Sequence, residues 1–140
     1  MTVGIIFGTW DLFHIGHLTA LINASYQCDI LWIVVYSDKA VKKYKGHFPA
    51  IVAEDRVKLI QYLHLNCSII VTSLEREPMD LSLFDILFLN ETWKERNFPV
   101  LNDSFKGRII YLPMTQGINT TSIMQKCSRI IRNASLAADK

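Results

Sequence analysis

Five short apolar runs rich in β-branched residues, at 3–7, 30–36, 68–72, 86–89 and 108–112, punctuate the chain, each bounded by polar or turn residues. Runs of this length without alternation predict strands buried on both faces. Between them lie segments whose apolar residues recur at helical spacing, over about 16–26, 52–65 and 120–133. Strand and helix therefore alternate. Alternation with continuous apolar strands predicts an α/β domain, a doubly wound parallel sheet of about five strands joined by right-handed crossovers. Sheets of this kind gather ligands at the carboxyl ends of their strands, where strand order reverses.

The bulk numbers are consistent with that architecture. A chain of 140 residues with 50% hydrophobic and 20% charged residues is long enough for one packed core. The expected organisation is a single domain over 1–134 and a frayed tail at 135–140. A net charge of +2 is too small for a general binder of nucleic acid or membrane surfaces, so neither is expected as a partner. The longest apolar run, ILWIVVY, falls far short of the ~20 residues of a bilayer span, and the first residues lack a signal segment. A cytoplasmic protein is the expectation. Cys28, Cys67 and Cys127 are odd in number and far apart, which suits neither a disulfide framework nor a zinc site.

The first run leads directly into GTWDLFHIGH, residues 8–17. A helix starting near His14 to Gly16 would offer unpaired backbone N–H groups and the positive end of its dipole, both of which favour a phosphate. His14 and His17 are three residues apart, so they share one face of a helical turn, and Gly16 leaves room for close backbone approach. Gly8 and Thr9 would supply a tight turn and a hydroxyl, and Asp11 a helix cap or a partner for a histidine. The stretch predicts a phosphate cradle with two imidazole donors.

GTWDLFHIGH resembles the G-T-F-D-x-x-H-x-G-H signature of the cytidylyltransferase-like nucleotidyltransferases, with Trp10 in the aromatic position. YLPMTQGINTT, residues 111–121, is similar to the Arg-Thr-Glu-Gly-Ile-Ser-Thr signature of the family's cytidylyltransferases, particularly those acting on glycerol 3-phosphate, ethanolamine phosphate and choline phosphate. Between the two, SDKAVKKYKG followed by AEDR resembles the family's lysine-bearing loop and its Glu-x-Arg helix. The likeness implies a Rossmann-like fold. It also implies a reaction in which a phosphate monoester attacks the α-phosphorus of a nucleoside triphosphate and pyrophosphate leaves. Charge neutralisation and alignment matter more than a base in such a transfer.

By position in these motifs, the resemblance gives His14, His17 and Lys45 catalytic roles, with Lys42 as the alternative loop lysine. Gly8, Thr9, Trp10, Asp11, Gly16, Met114, Thr115, Gly117, Asn119, Thr120 and Thr121 would surround the nucleotide. Lys39 and Lys43 are expected on a solvated helix face. Several places depart from the family pattern, among them Met114 in place of an arginine, Asn119 in place of a serine, and Asn90, Glu91, Thr92 and Trp93 in place of a Gly-Asp-Asp-Trp run. Glu91 keeps a carboxylate that could accept from the exocyclic amine of cytosine or adenine. Lys94 and Arg96 could bind an acceptor phosphate or form a solvated turn. The implied activity is a cytidylyltransferase of CTP with glycerol 3-phosphate as first acceptor, a Mg²⁺ ion carried by the triphosphate rather than by protein ligands, and a homodimer. Its alternatives are an adenylyltransferase for heptose phosphate or FMN and a non-catalytic nucleotide-binding module.

Overall fold

The structure, a computed structural model, describes residues 1–73 and 79–138. In chain order the elements are β1 (Val3–Gly8), α1 (Ile15–Tyr26), β2 (Ile30–Tyr36), α2 (Asp38–Lys45), α3 (Ala53–Gln61), β3 (Cys67–Thr72), β4 (Ile86–Asn90), a 3₁₀ turn (Glu91–Trp93), β5 (Arg108–Leu112) and α4 (Thr120–Ala138). The five strands form one sheet in the order β3-β2-β1-β4-β5. All four pairings are parallel, with Phe7 beside Val34 and Ile6 beside Phe88 in the central ladders. Strand order reverses between β1 and β4, which places a crevice at the carboxyl ends of those two strands.

Each expected strand is present, with bounds within one residue. Alternate residues feed cores on opposite faces: Leu31, Ile33 and Val35 join Leu21, Ala24 and Ile60 on one side. Ile5, Val34 and Leu87 join Leu81, Phe84, Phe98 and Val100 on the other. The first core lies under α1 and α3. The second is covered largely by irregular chain around 79–84 and 98–105, which helical spacing could not reveal.

Three expectations on helices are corrected. The stretch read as a lysine-bearing loop is the helix α2, started by Ser37, whose hydroxyl accepts the Ala40 N–H at 3.1 Å, and ended by Gly46 at φ +82°. Asp38 sits in its first turn and Lys42, Lys43 and Lys45 in its last, where they complement the helix dipole. Lys39 and Lys43 are exposed on it, as a solvated face requires. α3 stops at Gln61, short of the expected 65, because His64 takes a left-handed φ of +53°. Leu63 and Leu65 still pack on the first core from the following turn. α4 runs to Ala138, so residues 135–138 are helical rather than frayed, while 139 and 140 lie outside the described residues. Among the described residues no helix is long and apolar enough to cross a membrane.

Candidate active site

A cavity of about 450 Å³ opens at the carboxyl ends of β1 and β4, lined by residues from both and by both ends of the chain's sequence motifs. His14 is the N-cap of α1, with extended backbone (φ −136°, ψ 177°). Its Nδ1 accepts the Gly16 N–H at 3.0 Å, and the Nδ1 of His17 accepts the His14 N–H at 3.3 Å. The two imidazoles stack with centroids 3.8 Å apart and planes 21° from parallel. This reciprocal box satisfies the backbone N–H groups of His14 and Gly16, which are therefore not open to an anion. A neutral imidazole whose Nδ1 accepts must carry its proton on Nε2. Each ring thus offers the cavity an Nε2–H donor.

The neutral form is favoured at both positions. Burial depresses the His17 pKa to about 4, with further lowering from His14 and Lys45 and an opposing pull from Asp11. Burial also lowers that of His14. Neutral donors suit a site that must bind and release a polyanion, because they add hydrogen bonds without fixing another full charge.

Of the two candidate lysines, the structure brings Lys45 to the cavity. Its pKa is lowered, first by burial and then by Arg56, against an opposing effect of Asp11. Lys42 turns away: its Nζ donates to the Gly46 carbonyl at 2.9 Å and stands 5.6 Å from the centroid of Phe48.

Asp11 neither caps α1 nor orients a histidine. It is 3% exposed and lies outside the cavity lining; its carboxylate accepts the N–H groups of Leu12, Ala50 and Ile51 at 3.1, 2.8 and 2.9 Å. Its carbonyl accepts the Thr120 hydroxyl at 2.9 Å, which ties the start of α4 to the first motif. Arg56, fully buried on α3, ties the other side. Its guanidinium donates to the carbonyls of Thr9, Tyr36 and Ile51 and pairs with Asp38 at 2.7 Å. The ends of β1 and β2, the start of α2 and the approach to α3 thereby share one buried cation.

From the second motif, Met114, Thr115, Asn119, Thr120 and Thr121 line the cavity, opposite Gly8, Thr9, Trp10 and Gly16. The Asn119 side chain accepts the Ser122 N–H at 2.8 Å, so the residue that replaces the family's serine is a working cap. Gly117 is outside the lining and supplies a left-handed turn at φ +76°. Glu91 is also outside it; its Oε1 accepts the Met114 N–H at 3.1 Å. That bond links the exits of β4 and β5. Lys94 and Arg96 do not reach the cavity; they stand over Tyr111 and Trp93, 5.8 and 4.3 Å from the ring centroids.

Sequence reasoning missed Tyr44, Asn90 and Phe98 as lining residues. Asn90 and Trp93 sit in the segment compared with the family's Gly-Asp-Asp-Trp run, a signal that was available. Phe98 follows an irregular stretch and carried none. Among the described residues no group of three or more His, Cys, Asp or Glu side chains converges to hold a metal.

The sequence profile of the cytidylyltransferase-like family matches residues 5–126. The chain belongs to that family. It is a nucleotidyltransferase, and the matched span contains the histidine pair, Lys45 and the Met114–Thr121 turn together. A glycerol-3-phosphate cytidylyltransferase of Staphylococcus aureus is 28% identical over 124 residues, covering 87% of this chain and 92% of that one. The bifunctional protein HldE of Granulibacter bethesdensis is 30% identical over 138 residues, 93% of this chain but 28% of its own length. A solved structure, the lipopolysaccharide core biosynthesis protein from Thermoplasma volcanium, superposes with a TM-score of 0.60 over 82% of this chain and 97% of its own at 20% identity. The last comparison bears on the fold alone, which it shares with this family member.

Proposed function

We propose that this protein is a cytidylyltransferase that joins CTP to a small phosphorylated alcohol, with glycerol 3-phosphate as the first acceptor. An oxygen of the acceptor phosphate forms a bond to the α-phosphorus of CTP, the bond from that phosphorus to the bridging oxygen breaks, and pyrophosphate leaves. The observation that carries this reading is the stacked His14–His17 pair, whose Nδ1 atoms are spent on backbone N–H groups inside the cavity that Lys45 also lines. Two Nε2–H donors and an ammonium can then follow the negative charge that shifts onto the phosphate oxygens in the transition state. The hydroxyls of Thr9, Thr115 and Thr121 supply further donors from the cavity walls. No Asp or Glu lines the cavity among the described residues, so its side chains do not fit a resident Mg²⁺. An ion that arrives with the triphosphate would take its ligands from phosphate oxygens and water.

The choice of glycerol 3-phosphate is supported by the name and near-complete coverage of the Staphylococcus aureus relative. Met114 supports a second reading, adenylyl transfer to a sugar phosphate, because it removes the cation expected of the family's CTP enzymes. A homodimer belongs to the first reading and is checked by light scattering. The deciding experiment measures pyrophosphate release for CTP, ATP, GTP and UTP, each against glycerol 3-phosphate, a heptose phosphate and FMN. Turnover confined to CTP with glycerol 3-phosphate is expected. Turnover confined to ATP would establish the second reading, and nucleotide binding without turnover in any combination would make the protein a binding module.

A further inference from the structure

Three rings enclose the imidazole of His17. His14 stacks on it, Phe13 lies tilted at 5.4 Å, and Trp10 meets it edge-on at 5.5 Å with planes 67° apart. Trp10 differs from the others in being tethered at depth. It is 5% exposed, and its indole N–H donates to the Val34 carbonyl of β2 at 3.1 Å. Val34 lies beside Phe7 in the β1–β2 ladder, so the indole reaches from the turn after β1 back to a carbonyl of the neighbouring strand. The indole also occupies the space beneath Gly8, where a Cβ would stand 2.6 Å from Cε2 and 2.9 Å from Nε1. To reach this seat the backbone of Trp10 adopts φ +59°, a left-handed conformation that bulky residues rarely take.

We infer that Trp10 is a positioning residue for His17: seated against Gly8 and tethered to Val34, its indole holds the imidazole in the stacked pair and keeps water from it. The inference rests on the reading of His17 as a neutral Nε2–H donor. A phenylalanine, the residue in the family signature, can offer a ring there but has no N–H for Val34. Tethering fixes the ring from β2 as well as from its own loop, so the imidazole is backed by the sheet itself.

The groups whose charge acts on His17 are His14 and Lys45, which lower its pKa, and Asp11, which raises it, while burial lowers it most. Removing the indole admits water and weakens that largest cause, leaving the other groups in place. The test is an NMR titration of the His17 ring in the free enzyme, wild type against Trp10→Ala and Trp10→Phe, with steady-state kinetics on the same proteins. In Trp10→Ala the His17 pKa should rise by about one unit or more from its depressed value. Its kcat should fall on the order of 10–100-fold while KM for the triphosphate moves far less, the pattern of a displaced transition-state contact. Trp10→Phe should shift both in the same direction by less, and it carries the test should Trp10→Ala fail to fold. An unchanged His17 pKa in the folded variants overturns the inference. The titration needs no substrate, so a wrong choice of nucleotide leaves it standing. A raised pKa with undiminished kcat would confirm the positioning and count instead against His17 as the donor.

Discussion

His14 and His17 hold each other's helix turn closed: the imidazole of each accepts a backbone N–H through Nδ1, and the rings lie 3.8 Å apart. One device therefore starts α1, selects the Nε2–H tautomer and presents both donors to the cavity. Truncating either side chain removes a cap as well as a contact, so stability and turnover must be measured together.

His17→Ala should lower kcat by ~10²–10³ while changing triphosphate affinity far less, since a donor aimed at developing charge acts mainly in the transition state. His14→Ala should worsen both kcat and KM. Steady-state kinetics beside a urea titration separate these effects from the loss of a cap, which costs about 0.5–2 kcal/mol.

The depressed pKa of His17 has a definite sign in stability. Between about 4, its folded value, and 6.5, its ordinary one, the unfolded chain binds more protons than the folded one. Stability contributed by the neutral imidazole is complete above 6.5 and declines as pH falls through that window. Urea unfolding at several pH values from 4 to 7.5 should show this decline, and His17→Gln should flatten it.

Lys45→Ala should reduce activity more than Lys42→Ala or Lys43→Ala. Lys45 lines the cavity, whereas Lys42 is committed to Gly46 and Phe48 and Lys43 is solvated. The three variants compared by kcat/KM for the triphosphate check the ranking, and equal losses would remove Lys45 from its proposed role.

Arg56→Met should destabilise the protein by about 3 kcal/mol or more, because it removes a fully buried donor from the carbonyls of Thr9 and Tyr36 and the cation paired with Asp38. Arg56→Lys should recover little of this, since one ammonium cannot span acceptors on four segments. Thermal unfolding measures the loss.

Met114→Arg should lower KM for CTP several-fold. The side chain is 39% exposed at the cavity wall, so an arginine has room to reach phosphate. Loss of activity with unchanged thermal stability would tell against CTP and favour the second reading.

The strands were legible because a run buried on both faces leaves the same apolar signature wherever it pairs. α2 was not, since only Ala40 and Val41 of its eight residues are buried and lysines dominate the rest. That the histidine pair lines a cavity was legible from its place after β1. The partners of its Nδ1 atoms were not, because a spacing of three is equally compatible with rings that point away from the helix start. Asp11 was assigned to the nearest local task, capping, yet it serves segments 39 and 40 residues away.

What the sequence determined by itself is therefore periodic or contiguous: the strand–helix alternation, the cavity's place at the end of β1 and the two motifs that line it. Each follows from interactions between residues a few positions apart, where spacing and side-chain chemistry suffice. Tertiary structure decided which lysine reaches the cavity, what Asp11, Glu91 and Arg56 bind, and how Trp10 backs His17. These depend on how separate segments meet across the sheet, and a one-dimensional pattern does not carry the distances and angles at which buried donors find their acceptors.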